Sequence, residues 1–155
     1  MVSDIDEIPN PEKFDEMKRI LKKENIVQFN QKLFYYYLNG ISSQKWIGTR
    51  ATTYRKFRLN FLGRANLVRR IRDIKTRLMG IKTIKNGGWH FSYLGGKEKV
   101  KEKIRAFAHT ELNPEEIVNQ GEGSFRGEKI TYIKINDFFP KEIVKNKERY
   151  KEMIR

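Results

Sequence analysis

The chain has 155 residues, 33 Lys and Arg against 19 Asp and Glu, a formal net charge of +14 and no cysteine. The lack of cysteine excludes disulfides and thiolate metal sites, and no apolar run approaches the roughly 18 residues that span a bilayer. A content of 38% hydrophobic and 12% aromatic residues excludes a disordered chain. The polar, acidic first residues are not a signal or transit peptide, so we expect a cytoplasmic protein, with a membrane or Golgi location only as part of a longer protein.

The positive charge favours a polyanionic ligand, which could be nucleic acid, an anionic membrane or a phosphorylated molecule. The charge is unevenly distributed, since Asp73 is the only acidic residue between Lys45 and Lys85. The alternative is a solvated, lysine-rich surface without a specific ligand. Charge alone does not separate nucleic acid from a nucleotide sugar.

The first predicted element is the end of a strand over residues 2–6, which runs into a loop. A helix should follow, because Asn10 is a good N-cap, Pro11 suits the first helical position, and apolar residues recur on one face from Phe14 onward. We expect this helix to end near Asn25.

The rest of the chain alternates between strand and helix patterns. In chain order they predict a strand or hairpin over 26–38, a short strand over 46–53, a short helix over 66–74, a strand over 81–84, helices over 97–107 and 113–121, a strand over 129–135 and a basic helix over 140–155. No repeat or linker divides the chain, so we expect one mixed α/β domain.

Two carboxylates, Asp4 and Asp6, stand at the predicted exit of the first strand. Side chains two residues apart on an extended backbone point to the same side. Such a pair can bind a hard divalent cation through its oxygens, and the cation can bridge a diphosphate. The alternative is a solvated acidic terminus.

A glycine-rich segment, NGGWHFSYLGG, occupies residues 86–96. Gly87 and Gly88 allow the backbone to approach a ligand closely, and Trp89 offers an apolar face to a sugar ring. His90 is a candidate acid or base. The alternative is a tight turn with a core tryptophan and a structural histidine.

The other histidine, His109, lies two residues before Glu111 and shortly before a predicted helix. Glu111 could take a proton from an acceptor hydroxyl, and general-base catalysis contributes roughly 10²–10⁴ in rate. The alternative is that Glu111 only caps a turn.

The strings DIDEIPNPE, GGWHFSYLGG and KIRAFAHTELN occur in this order, together with YYYLNG, KWIGT and FFPKEIVKN. They resemble glycosyltransferase family 17, the β-1,4-mannosyl-glycoprotein 4-β-N-acetylglucosaminyltransferases, over almost the whole chain. The resemblance implies a glycosyltransferase-A type fold (nucleotide-diphospho-sugar transferase) that lacks its N-terminal nucleotide-binding strands. Residues 1–155 would then be a partial domain that begins at the Asp-x-Asp motif. The implied reaction is inverting transfer of N-acetylglucosamine from UDP-N-acetylglucosamine to a glycan hydroxyl.

The resemblance also implies which residues bind metal and which act as the base. Asp4 and Asp6 would bind Mn²⁺ or Mg²⁺ with the diphosphate, and His109 would be a third ligand or an orienting partner. Glu111 would be the catalytic base. The rival bases are Glu7 and His90.

The donor site follows from the same resemblance. Gly87, Gly88 and Trp89 would line the donor sugar and the acceptor. One arginine of the basic segment would contact phosphate; the candidates are Arg50, Arg55 and Arg58.

The expected partners are a nucleotide sugar, a glycan acceptor and a separate polypeptide that carries the N-terminal half. One alternative is an inactive, glycosyltransferase-like fragment. A less favoured alternative is a basic nucleic-acid-binding module, which explains the charge and the aromatic run at Tyr35–Tyr37 but gives no reason for the Asp-x-Asp and GGWHFS strings.

Overall fold

The structure is a computed structural model that describes residues 1–71, 81–106, 123–125 and 127–155. These residues form a mixed α/β architecture with a mostly antiparallel sheet of seven strands, which confirms the predicted class. The strands are β1 (Glu7–Pro9), β2 (Val27–Tyr36), β3 (Gly40–Ala51), β4 (Lys82–Ile84), β5 (Gly88–Leu94), β6 (Ser124–Phe125) and β7 (Glu128–Tyr132). The α-helices are α1 (Phe14–Leu21), α2 (Tyr54–Phe61), α3 (Ala65–Arg69), α4 (Gly96–Ala106) and α5 (Lys141–Lys145).

The strand order in the sheet differs from the order in the sequence. It is β1-β5-β2-β3-β7-β6, and β4 pairs with β2 beside this path. β4 runs parallel to β2, whereas β1 runs antiparallel to β5 and β7 runs antiparallel to both β3 and β6. The first strand therefore lies next to β5, far from it in the sequence.

The chain forms two compact units. The first unit comprises Met1–Gln31 and Lys45–His90, and the second comprises Lys32–Gln44 and Phe91–Arg155. Each unit has its own set of buried side chains. No helix among the described residues is long and apolar enough to cross a membrane.

The helix predicted after Asn10 is present, with different bounds. Asn10 Oδ1 accepts a hydrogen bond from the Glu12 amide at 3.0 Å, and the chain first makes a 3-10 turn over Pro11–Lys13. The α-helix proper spans Phe14–Leu21 and stops short of the predicted end near Asn25. The residues after its end are charged or polar and give a longer helix no apolar side chain to bury.

One face of α1 packs on the sheet of the first unit. Met17, Ile20 and Leu21 recur at the three- and four-residue spacing that aligns side chains on a helix. They contact a cluster that includes the fully buried Val27 and Phe29 of β2. Burial of this face is what holds so short a helix in place.

Helices α2 and α3 belong to a second hydrophobic cluster of the first unit. Thr53 Oγ1 caps α2 by accepting a hydrogen bond from the Lys56 amide at 3.3 Å. Phe57 and Phe61 of α2 pack with Val68 of α3. The other face of α2 is left exposed.

The second unit has an aromatic core. The Phe34 ring lies 5.1 Å from Phe91 and 5.5 Å from Phe139, and Tyr35 stacks on Phe125 at 4.2 Å. Such ring pairs contribute about 0.5–1.5 kcal/mol each beyond the area they bury. The aromatic strand predicted over 26–38 is present as β2, and its residues Phe34 and Tyr35 lie in this core.

Other predicted elements differ in extent. β3 begins earlier than the strand predicted over 46–53, and β5 was not predicted as a strand. The helix predicted over 140–155 divides into α5 and a 3-10 segment over Lys147–Met153. The helix predicted over 113–121 lies outside the described residues. The helix predicted over 66–74 corresponds to α3, and the part of it after residue 71 is also outside the described residues.

Candidate functional site

Two of the predicted motifs meet because β1 pairs with β5. Glu7 lies opposite His90, Ile8 opposite Trp89, and Pro9 opposite Gly88. The strand that follows the Asp-x-Asp motif is thus hydrogen-bonded to the strand that carries the GGWH motif. This pairing positions the residues of the candidate site relative to one another.

The Asp-x-Asp segment itself is a turn and not the end of a strand. β1 begins only at Glu7, and the Glu7 amide donates to the Asp4 carbonyl at 3.1 Å. Glu7 Oε2 closes the turn by accepting hydrogen bonds from the Asp4 amide at 3.1 Å and from Ser3 Oγ at 3.3 Å. The expectation that Asp4 and Asp6 point to one side from an extended backbone is therefore wrong.

Asp4 faces Arg69 of α3. Arg69 Nε lies 2.9 Å from Asp4 Oδ1, and Arg69 Nη2 donates to Asp4 Oδ2 at 2.9 Å. The two side chains are 28% and 55% exposed, so this pair contributes only about 0–1 kcal/mol to stability. Its consequence is geometric, because both oxygens of Asp4 are directed at a guanidinium.

His90 lies between two carboxylates. His90 Nε2 is 3.3 Å from Asp6 Oδ2, and His90 Nδ1 is 4.0 Å from Glu7 Oε1. The imidazole is 6% exposed, and neither ring nitrogen has a hydrogen bond of good geometry to the described residues. Buried polar atoms are normally hydrogen-bonded, so this ring is a candidate for a functional role.

Trp46 of β3 completes the cluster. Trp46 Nε1 donates to Glu7 Oε1 at 2.8 Å, and the indole lies edge-on to the His90 ring with centroids 4.4 Å apart. Trp46 is half-buried, and the sequence analysis assigned it no role. The only signal was its place in the KWIGT string, which the resemblance already included.

A polar network supports the Glu7 carboxylate from β2 and β3. Thr49 Oγ1 lies 2.7 Å from Ser3 Oγ and accepts a hydrogen bond from Gln31 Nε2 at 3.2 Å, while the Thr49 amide donates to Gln31 Oε1 at 3.3 Å. A Cβ on Gly48 would overlap both Gln31 Oε1 and the Glu7 carboxylate. Only glycine at position 48 leaves room for these side chains to meet.

The glycine pair has a structural use that the sequence analysis did not foresee. Gly88 has a φ of +137°, and a Cβ there would overlap the Ile8 carbonyl; a Cβ on Gly87 would lie 2.7 Å from Phe29 Cβ. Both glycines therefore allow neighbouring strands to come close. Trp89 is 7% exposed and offers no open face here, so its contact with a sugar stays a prediction.

The three arginines proposed for phosphate lie in different surroundings. Arg50 is 5% exposed, and its Nη1 donates to the Gly48 carbonyl at 3.2 Å. Arg55 and Arg58 lie on the exposed face of α2. Their contact with phosphate stays a prediction for all three.

The described metal candidates do not converge on one point. Asp4 faces a guanidinium while Asp6 faces His90, and among the described residues no group of three His, Asp or Glu could hold a metal ion. In this arrangement the Asp4–Asp6 pair does not fit a shared divalent cation. His109 and Glu111 lie outside the described residues.

Comparisons of this chain with protein-family models, with curated proteins and with solved structures gave no match. A family assignment for this chain therefore stays a proposal, which rests on the resemblance of the quoted strings. A proposal of function rests on that resemblance and on the geometry of the cluster formed by Asp6, Glu7, Trp46 and His90.

Proposed function

We propose that the chain is a glycosyltransferase-A type enzyme that moves N-acetylglucosamine from UDP-N-acetylglucosamine to a glycan hydroxyl with inversion. The observation that carries this proposal is the pairing of β1 with β5, which sets Asp6 and Glu7 against His90. Two strings that resemble the same family are distant in the sequence, and their residues are neighbours in space. The structure shows a mixed α/β protein, and the more specific glycosyltransferase-A type fold is part of this proposal.

The energetics of the cluster support a functional interpretation. Leaving a buried polar group without a good partner costs about 1–3 kcal/mol. His90 is 5% exposed and is such a group, whereas Glu7, opposite it in the sheet, has three donors; an apolar residue at position 90 would avoid the cost. A buried polar group without a partner is an exception that favours a functional explanation.

The geometry divides the roles of the described candidates. Asp6 Oδ2 lies 3.3 Å from His90 Nε2 without a hydrogen bond of good geometry, and catalytic hydrogen bonds often tighten only when substrate is bound, so we assign proton handling to this pair. Glu7 accepts hydrogen bonds from three donors and is better suited to anchor the turn than to act as the base. Glu111 stays a proposed base.

Mn²⁺ or Mg²⁺ is the cofactor that this activity implies. When bound, it would neutralise charge on the leaving diphosphate. Asp6 is the member of the acidic pair that we propose for it, because Asp4 is engaged by Arg69. The metal requirement is tested by comparing nucleotide-sugar binding with and without Mn²⁺, and the proton-handling role is tested by His90→Gln, because Asp6→Asn alters both roles.

The test combines ligand binding with turnover. UDP-N-acetylglucosamine binding is measured by calorimetry with and without Mn²⁺, and transfer or hydrolysis is followed by release of UDP. We expect Asp6→Asn and His90→Gln to lower turnover roughly 10²–10⁴-fold, the range of general acid–base catalysis. The matched control is Asp15→Asn, the same chemical change at a carboxylate that is 88% exposed.

Three results would contradict the proposal in different ways. Equal turnover in the Asp6 and Asp15 variants would remove Asp6 from the mechanism. Binding of UDP-N-acetylglucosamine without turnover would favour an inactive relative. Two features agree with that outcome, since Asp4 is engaged by Arg69 and the buried Trp89 offers no open face. A folded chain that neither binds nor turns over the nucleotide sugar would contradict activity of this chain by itself, and the same result with the polypeptide that carries the N-terminal half present would end the proposed function.

A further inference from the structure

Helix α2 and the residue after it carry an exposed apolar face. Tyr54, Leu59 and Leu62 are 75%, 67% and 70% exposed. They are three of the six exposed large hydrophobic residues among those the structure describes. One exposed leucine needs no explanation, but two exposed leucines and an exposed tyrosine within residues 54–62 favour an interaction surface.

The two leucines are separate from the face through which α2 packs. Phe57 and Phe61, four residues apart, lie on one side of the helix and join the hydrophobic cluster of the first unit. Leu59 falls on the opposite side at the helical period, and Leu62 follows the last helical residue. Tyr54, three residues before Phe57, falls near the packed side. The helix is thus fixed by one apolar face and presents Leu59, followed by Leu62, outward.

Four exposed arginines lie on α2 or at the ends of α3. Arg55, Arg58, Arg64 and Arg70 are exposed, and none of them forms an ion pair with the described part of the chain. Residues 54–71 contain no acidic residue. The surface therefore combines unpaired guanidinium groups with aliphatic and aromatic side chains.

We propose that this face of α2 and α3 docks on an anionic lipid surface. Charge complementarity selects a negatively charged partner, and lipid headgroups provide a dense array of phosphates. The leucines select lipid over nucleic acid, because a phosphate backbone offers no apolar layer for aliphatic side chains to enter. Arginine suits this position, since its apolar stem can lie along lipid while the guanidinium stays at the headgroups.

The docked arrangement is peripheral. α2 spans only Tyr54–Phe61, and its inner face stays packed in the protein, so only the outward side chains enter the interface. The guanidinium groups attract the protein to the surface, and Leu59 and Leu62 add contacts that salt does not screen. The inference does not require the proposed activity, although Arg55 and Arg58 are also candidates for contact with the donor phosphate.

The experiment is sedimentation of the full chain with vesicles of phosphatidylcholine alone and of phosphatidylcholine mixed with phosphatidylglycerol. We expect strong binding only to the mixed vesicles. Each basic residue near an anionic membrane contributes about a fivefold factor, so Arg55→Gln with Arg58→Gln should weaken binding roughly 25-fold. The matched control removes two exposed, unpaired cations from the second unit, Lys134→Gln with Lys151→Gln, and should change binding less than about threefold.

A second variant tests the apolar contribution. Leu59→Gln with Leu62→Asn keeps every charge, and Asn tolerates the φ of +52° at position 62. We expect vesicle binding at about 0.15 M salt to fall roughly tenfold. Circular dichroism checks that each variant is folded.

Binding of the unchanged protein that does not depend on phosphatidylglycerol would overturn the proposal. So would a leucine variant that binds like the unchanged protein. The same proteins are titrated with a single-stranded oligonucleotide; tighter binding there, sensitive to Arg55 and Arg58 but not to the leucines, would assign the surface to nucleic acid instead.

Discussion

Among the residues that the structure describes, the first unit buries six polar or charged side chains, whereas the second unit buries three. Those of the first unit are Glu7, Gln28, Gln31, Thr49, Arg50 and His90; those of the second are Asn39, Ser42 and Ser92. The close ring contacts show the reverse pattern. Among the residues that the structure describes, these contacts lie within the second unit, apart from the Trp46–His90 contact of the first.

Buried polar side chains in the first unit and packed aromatic rings in the second have different effects on the fold. The hydrophobic effect is non-directional, and the stabilisation that it gives follows mainly the apolar area removed from water. A buried polar network contributes less net stability, but it fixes the positions of its members because every hydrogen bond must be made. The first unit therefore gains a defined arrangement around Glu7 and His90, and we expect substitutions in the two units to differ in size and kind.

The largest loss of stability should come from the aromatic core of the second unit. Phe34 is 0% exposed and contacts Phe91 and Phe139, so Phe34→Ala should lower the free energy of unfolding by about 3–5 kcal/mol. Urea denaturation measures this change. The control, Leu59→Ala at a 67% exposed helix position, should stay within about 0.5 kcal/mol. Similar losses for the two variants would mean that the ring cluster does not hold the second unit together.

The second effect concerns the β1–β5 pairing of the first unit. Gly88→Ala adds a strained positive φ and an overlap with the Ile8 carbonyl, which together should cost about 3 kcal/mol. Two other glycines separate these causes. Gly127 has a φ of +81° with open space, and Gly123 has open space and no positive φ, so their alanine variants should cost about 1 kcal/mol and close to nothing. Equal losses at all three positions would show that close approach of β1 does not matter.

Several elements were predictable because their signals are local. The Asn10 cap with Pro11 located the first helix, and the alternation of aromatic residues located β2. β5 was missed because its glycines and histidine suggested a ligand loop, although Trp89, Phe91 and Tyr93 alternate as a strand requires. The alternation was the better guide.

The candidate site was predictable only as a set of motifs. The sequence placed Asp6, Glu7 and His90 among the functional residues, but the turn that redirects Asp4 depends on Glu7 accepting hydrogen bonds from its own neighbours. The pairing of Asp4 with Arg69 depends on where α3 packs, which no local pattern specifies. Tertiary contacts of this kind are the part that periodicity and capping rules do not reach.

A smaller loss is expected from the polar network itself. Thr49 is 0% exposed, and Thr49→Val removes the hydroxyl that meets Ser3 and Gln31 while keeping the side-chain shape. Leaving buried partners without that hydroxyl should cost about 1–3 kcal/mol. The same change at the exposed Thr131 of β7 is the control and should be close to neutral. If Thr49→Val is also neutral in thermal unfolding, the network does not hold the turn.

The smallest effect should come from an exposed ion pair outside both cores. The hydrogen bond from Lys18 Nζ to Asp15 Oδ1, at 2.9 Å, together with the Lys18 charge, lowers the pKa of Asp15 below its usual value of 3.8. Because the folded-state pKa is the lower one, the stabilisation is present above pH 3.8 and is lost as the pH falls through the folded-state value. Asp15→Asn should therefore shift the urea midpoint only slightly at pH 7, by less in high salt, and not at all once the carboxyl is protonated in both states. A loss as large as that of Thr49→Val, or one that persists in strong acid, would show that a solvent-exposed pair stabilises this chain as much as its buried network does.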